Sequence, residues 1–194
     1  MVILRCLLRP SNIAHSTLGG FWDFTSDLSL KDTAYTSLAL GAHTDTTYFT
    51  DPAGLQMFHL LSHTEGSGGA SLLVDGFQAA AILKKEAPDA YHVLRSTPVP
   101  THSSGNDGIS IQPGIPYPVF NEHPVTGELY QVRWNNDDRA TMDQWNSDAD
   151  IDAWYNAARL WTKLIRRETS EYREQLRPGR PLSRTPRIMK EDDC

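Results

Sequence analysis

Cysteine is almost absent: Cys6 and Cys194 are the only two, at opposite ends of a 194-residue chain. That excludes a disulfide framework and a cysteine-based zinc site, and points to a reducing compartment. No apolar run approaches the ~20 residues that a bilayer-crossing helix needs, so no membrane partner is expected. Clusters of basic residues are missing as well. With a net charge of −6 and Lys and Arg scattered along the chain, nucleic acid is not expected as a partner either. Internal repeats are absent. The first 22 residues hold no Asp or Glu but carry Arg5, Arg9, Ser11, His15, Ser16 and Thr17. Such a composition is permitted for a mitochondrial transit peptide, though it reads first as a chain entering its first strand.

What remains is ordinary globular material, 39% hydrophobic and 22% charged, in a length that suits one domain able to bury a core without staples. Strands are expected at 33–40, 55–61, 70–74 and 127–134, where β-branched, aromatic and apolar residues gather between turn signals. The 55–61 strand is expected to be largely buried, and a glycine-rich hairpin at 65–69 is expected to lead into the strand at 70–74. Asp75 can cap a helix over 77–86 that Pro88 stops, with a further turn or two at 89–94. Residues 98–118, dense in Pro, Gly, Ser and Asn, form a long loop, and 121–126 a turn. A helix starting at Ser147 or Asp148 places Ile151, Trp154, Ala158, Trp161 and Ile165 on one face, which reads as core. After Arg177-Pro178-Gly179-Arg180 the pattern stops, and 181–194 is expected to be disordered. Several short strands with few helices indicate a mainly β sandwich or jelly roll with flanking helices.

The chemistry centres on Gly41-Ala42-His43-Thr44-Asp45-Thr46-Thr47-Tyr48. On an extended chain His43 and Asp45 point to one side, since side chains alternate with period two. They offer an imidazole nitrogen and a carboxylate to one point, two thirds of the two-histidine, one-carboxylate face of non-haem Fe(II) oxygenases. A His-x-Asp pair also arises by chance. Ser71, opening a strand, offers a hydroxyl to an anionic co-substrate or belongs to a plain hairpin. Trp22 and Tyr35 offer rings to a quaternary ammonium by cation–π attraction, or pack in the core. The run 133–139 is dense in donors, as a polar turn would be.

Taken in order, Phe24-Thr25-Ser26-Asp27, Asp32-Thr33-Ala34-Tyr35-Thr36, His43 to Phe49, Gly68-Gly69, Leu72-Leu73-Val74-Asp75-Gly76-Phe77, Asn135-Asn136-Asp137-Asp138-Arg139-Ala140 and Leu176-Arg177-Pro178-Gly179-Arg180 carry a resemblance. Over about residues 12–180 the chain resembles the trimethyllysine dioxygenases of the TauD/γ-butyrobetaine dioxygenase-like family. The resemblance implies a double-stranded β-helix (jelly roll) domain over 1–180, incomplete at its C-terminus. It also implies an Fe(II)- and 2-oxoglutarate-dependent hydroxylase acting at C3 of Nε-trimethyllysine in the first step of carnitine biosynthesis. By position His43 and Asp45 match iron ligands, and Ser71 matches a 2-oxoglutarate contact. Trp22 and Tyr35 match a trimethylammonium cage, and Asn135 and Asn136 the binding of the substrate's amino-acid end. No catalytic residue beyond the metal ligands is implied. Ascorbate is the implied reductant, a small molecule the partner, a homodimer the assembly, and the mitochondrion the compartment, with the cytoplasm as alternative.

The chain departs from the family after Arg180, where the distal iron-binding histidine and the arginine for 2-oxoglutarate are expected. His59, His63, His92, His102 and His123 lie in elements or loops that do not suit a replacement. Leu18 stands where the cage has an aromatic residue. The chain therefore resembles a fragment that lacks the family's N-terminal region and C-terminal strands. Residues 1–194 alone are not expected to turn over trimethyllysine. The alternative to the hydroxylase is a catalytically inactive remnant or binding-only module.

Overall fold

The computed structural model describes residues 3–5, 21–23, 39–63, 69–104, 108 and 110–185. Its strands are short: β1 (Ile3–Arg5), β2 (Phe21–Asp23), β3 (Gln56–Phe58) and β4 (Ser71–Val74) precede helices α1 (Gly76–Glu86) and α2 (Pro88–Ser96). Then come β5 (Ser103–Ser104), β6 (Ser110–Ile111), β7 (Phe120–Glu122), β8 (Leu129–Val132), α3 (Asp148–Ile165), β9 (Glu171–Glu174) and β10 (Leu182–Arg184).

The helices begin where local chemistry starts them. The Asp75 carboxylate accepts from the backbone N–H of Phe77 and Gln78 at 3.0 and 2.9 Å, satisfying two orphan donors of α1. Ser147 does the same for α3 through the N–H of Asp150. Pro88 opens α2 at a position where its missing N–H costs nothing. The face expected of α3 is the buried one, with Trp154, Ala157, Ala158, Trp161, Leu164 and Ile165 all enclosed, while Ile151 is half-buried. These residues pack with Ala79, Ala80 and Leu83 of α1, Tyr91 and Leu94 of α2, Phe120 of β7 and Val132 of β8 into one core. Tyr91 stacks on Phe120 at 4.8 Å, and Phe120 meets Trp161 edge-on at 5.0 Å. Large flat rings meeting in offset and edge geometry add attraction beyond their buried area.

The strands pair in separate groups. One four-stranded antiparallel sheet runs β10-β3-β1-β2, while β4–β9, β5–β6 and β7–β8 form two-stranded ribbons. Helices carry the core, and the described strands do not assemble into a jelly roll. Several details differ from the sequence expectations. The 55–61 segment is half-buried over β3 rather than enclosed, because β3 lies in the four-stranded sheet, apart from the helical core. The strand expected at 70–74 pairs with β9, which had no expected counterpart, and the hairpin at 65–69 lies almost wholly outside the described residues. The loop at 98–118 contains β5, β6 and a bridge from Val99 to Tyr117. Asn121 and Glu122, expected in a turn, belong to β7. Residues 182–184, expected to be disordered, pair with β3, Arg184 lying opposite Gln56. Strand pairing is decided by distant partners, which local composition does not display.

Candidate metal centre

Thr44 pins the loop that carries His43 and Asp45. Its N–H donates to the Trp134 carbonyl at 2.8 Å, and its hydroxyl accepts from the Trp134 N–H at 2.8 Å. These two bonds hold residue 44 against the chain just after β8, in place of the expected strand. Residues 39–45 are irregular, and most of 33–40 lies outside the described residues. Directly after Asp45 the chain reverses at Thr46, which holds a φ of 57°. A β-branched residue in the left-handed region is strained. Two contacts hold it there: its hydroxyl accepts from the Ala53 N–H at 3.2 Å, and its carbonyl accepts from the Phe49 N–H at 3.0 Å.

The buried Arg133 guanidinium ties the far side of the loop. It donates to the carbonyls of Thr47 and Phe49, each at 2.6 Å, and lies over the Tyr117 ring at 4.2 Å. Thr101 adds a third tie, its hydroxyl donating to the Thr47 carbonyl at 2.9 Å. Thr47 is itself buried, and its hydroxyl donates to Asp138 at 2.6 Å. Burial pushes the Asp138 carboxyl above the usual range, the Thr47 bond pulls the other way, and the charge of Asp45 adds to the rise.

Within this frame His43 Nε2 and Asp45 Oδ1 stand 3.0 Å apart. His43 Nδ1 lies 2.7 Å from the Gly41 carbonyl, where its N–H donates; Nε2 faces Asp45 and donates to it, and becomes a metal donor only on giving up that proton. Asp45 Oδ2 accepts from Gln56 Nε2 at 2.9 Å and from Arg184. Burial alone would raise the Asp45 carboxyl, but the hydrogen bond from His43 and the charge of Arg184 outweigh it and hold the group well below the carboxylate range. The same His43–Asp45 bond raises the His43 imidazole above its ordinary value against the opposing effect of burial.

These donors fit a first-row divalent ion. Two ligands about 2.1 Å from one ion and at right angles to each other are about 3.0 Å apart. Each of the two side chains also has its other polar atom tied back to protein, as a metal ligand's would be. Among the described residues no group of three or more His, Cys, Asp or Glu side chains converges on one point. Three other histidines are engaged elsewhere. His59 Nε2 accepts from the Gly179 N–H at 3.0 Å, His102 meets Ser104 at 3.0 Å, and His123 accepts from Val125 and Thr126 at 3.2 Å.

The remaining expected site residues are unevenly placed. Asn135 and Asn136 follow Trp134 and, with Thr47, Thr101, Tyr117, Arg133 and Arg139, line a small cavity beside the loop that carries His43 and Asp45, with room for about one water. Asn135 Oδ1 already accepts from the Asp137 N–H at 3.1 Å. Ser71 opens β4 opposite Glu174, in a different sheet from Gln56. The backbone of Trp22 pairs with Leu4 in the sheet that contains β3, while Tyr35 and Leu18 lie outside the described residues. Gln56, Asp138 and Arg184 were not singled out from sequence. Gln56 had a signal, as the lone polar residue in the run Leu55-Gln56-Met57-Phe58, whereas Arg184 follows the last recognisable pattern and had none.

Residues 7–181 match the family model described as "Taurine catabolism dioxygenase TauD, TfdA family". Trimethyllysine dioxygenase of Meyerozyma guilliermondii is 52% identical over 164 residues, covering 84% of this chain and 41% of the relative. The enzyme of that name from Neurospora crassa is 49% identical over 213 residues, covering 93% and 45%. The Gallus gallus protein, "Trimethyllysine dioxygenase, mitochondrial", is 45% identical over 175 residues, covering 90% and 41%. The chain thus spans less than half the length of these relatives.

Proposed function

The chain belongs to the TauD/TfdA dioxygenase family, and on that premise we propose that it serves an Fe(II)- and 2-oxoglutarate-dependent hydroxylase converting Nε-trimethyllysine to its 3-hydroxy derivative, the first step of carnitine biosynthesis. One observation carries the reading. His43 Nε2 and Asp45 Oδ1 stand 3.0 Å apart, the spacing of two neighbouring ligands on one ion, in a chain similar to enzymes named for that substrate. Iron with 2-oxoglutarate, once bound, supplies the oxygen activation that no side chain can provide. The chain's own residues ligate, orient and select.

In this reading His43 and Asp45 hold the iron, and Thr44, Thr46 and Arg133 keep the loop in ligating shape. Asn135 and Asn136 receive the amino-acid end of the substrate beside that loop, Ser71 contacts 2-oxoglutarate, and Trp22 and Tyr35 cage the trimethylammonium group. Holding the cation several bonds from the target carbon selects one C–H bond. Residues 1–180 supply part of a double-stranded β-helix domain, ascorbate keeps the iron reduced, the assembly is a homodimer, and the compartment is mitochondrial.

A second reading, trimethyllysine binding without turnover, is favoured by the engagement of His59, His102 and His123 in other contacts. Incubating the protein with Fe(II), 2-oxoglutarate, ascorbate and trimethyllysine separates the two. Substrate-dependent succinate that disappears in His43→Ala and Asp45→Ala supports the hydroxylase. Saturable trimethyllysine binding without succinate supports the binding module, and neither result overturns both.

A further inference from the structure

β10 brings a cation onto the ligand pair. Opposite Gln56 in the β10–β3 register, Arg184 donates through Nε to Gln56 Oε1 at 3.0 Å and through Nη1 to the His43 carbonyl at 3.2 Å. Its Nη2 donates to Asp45 Oδ2. One guanidinium therefore touches both residues that carry the donors, and it lies over the Phe58 ring at 5.0 Å, which limits how it can move. Its side chain is 26% exposed and that of Asp45 32%, so the pair is partly shielded from solvent.

We propose that Arg184 is the resident counter-cation of the His43–Asp45 pair: it neutralises Asp45, holds the pair in ligating geometry, and weakens the grip of the pair on a divalent ion. The proposal rests on the reading of these two residues as metal ligands. A ligating imidazole is neutral, so Asp45 supplies the pair's only negative charge, and Arg184 cancels it. An incoming dication meets a carboxylate whose charge is already countered and faces a fixed positive charge a few ångströms away. A guanidinium keeps its proton and therefore its charge.

Arg184 also orients Oδ2, and losing an orienting contact weakens metal binding. Gln56 shares that same oxygen, however, and keeps it oriented when Arg184 is removed. Repulsion therefore outweighs orientation at Arg184, while at the uncharged Gln56 only orientation is at stake. The two positions are expected to shift affinity in opposite directions.

Calorimetric titration of the full chain with Mn2+ tests this. Arg184→Gln is expected to bind Mn2+ about tenfold more tightly than the parent, on the order of the repulsion between charges a few ångströms apart in a half-solvated site. Arg184→Lys, which keeps the charge, should stay near the parent, and Gln56→Ala should weaken binding by about tenfold. Equal or weaker binding by Arg184→Gln, or tightening by Arg184→Lys, overturns the proposal. Without metal, Arg184→Gln should melt several degrees below both the parent and Arg184→Lys, and an unchanged melting temperature also overturns it. Mn2+ binding that ignores His43→Ala and Asp45→Ala marks failure of the metal reading itself, which the metal-free melts distinguish from failure of the counter-cation.

Discussion

The helical core and the loop that carries His43 and Asp45 solve the same problem, holding a few side chains in place, by opposite means. In the core, α1, α2, α3, β7 and β8 enclose Trp154, Trp161, Phe120 and Leu94 almost completely, and non-directional apolar burial does the holding. In the loop, no residue from 41 to 50 is buried except Thr47, and shape comes from directional contacts: Thr44 to Trp134, Arg133 to two carbonyls, Arg184 and Gln56 to Asp45. Each core side chain shares its burden with many neighbours. In the loop one or two hydrogen bonds decide where a donor atom points, so single substitutions there change function more than stability.

Truncating the core should cost the most. Trp154→Ala, at 1% exposure, is expected to lower unfolding free energy by ~3–5 kcal/mol in urea melts, and a loss below ~1 kcal/mol would break the contrast. Arg133→Met removes the buried donor from the carbonyls of Thr47 and Phe49. A loss of ~2 kcal/mol is expected, together with weaker Mn2+ binding, since the loop that carries His43 and Asp45 loosens. Stability loss with unaltered Mn2+ affinity would separate Arg133 from the site.

Glu122 lies at the polar edge of the core, accepting from Tyr91 at 2.7 Å, Arg95 at 3.0 Å and Lys84 at 3.4 Å. Burial works against its carboxylate, but these donors outweigh it and hold the group below its ordinary value. A depressed folded value means that the stabilisation is complete above the unfolded value of 4.5 and fades as pH falls through the folded one. Glu122→Gln should therefore cost ~1–2 kcal/mol at neutral pH, with the gap to the parent closing under acid. A gap that widens in acid would contradict the assignment. The smallest stability effect is expected at the helix cap, where Asp75→Ala should cost ~1 kcal/mol and leave Mn2+ binding untouched.

The same contrast explains what could be foreseen. The α1 and α3 helices were legible because their signals are local: Asp75 and Ser147 as caps, Pro88 as a stop, and Trp154, Ala158 and Trp161 at helical spacing. That the side chains of His43 and Asp45 meet was legible because two residues of spacing is also local. The supports of the pair were not, since Thr44 and Trp134 are 90 positions apart, and Asp45 and Arg184 are 139 apart. No periodicity marks such contacts. Strand partners failed for the same reason: β4 looked like the second arm of a hairpin, but it pairs with β9 a hundred residues on.

The central claim is that His43 and Asp45 form the nearer half of a divalent-ion site. Loss of the free Mn2+ electron paramagnetic resonance signal on titration with the protein tests it most directly. The expected result is saturable binding of one ion per chain, abolished by His43→Ala and by Asp45→Ala while the fold persists. Binding that survives both substitutions, or no binding by the parent chain, would contradict it.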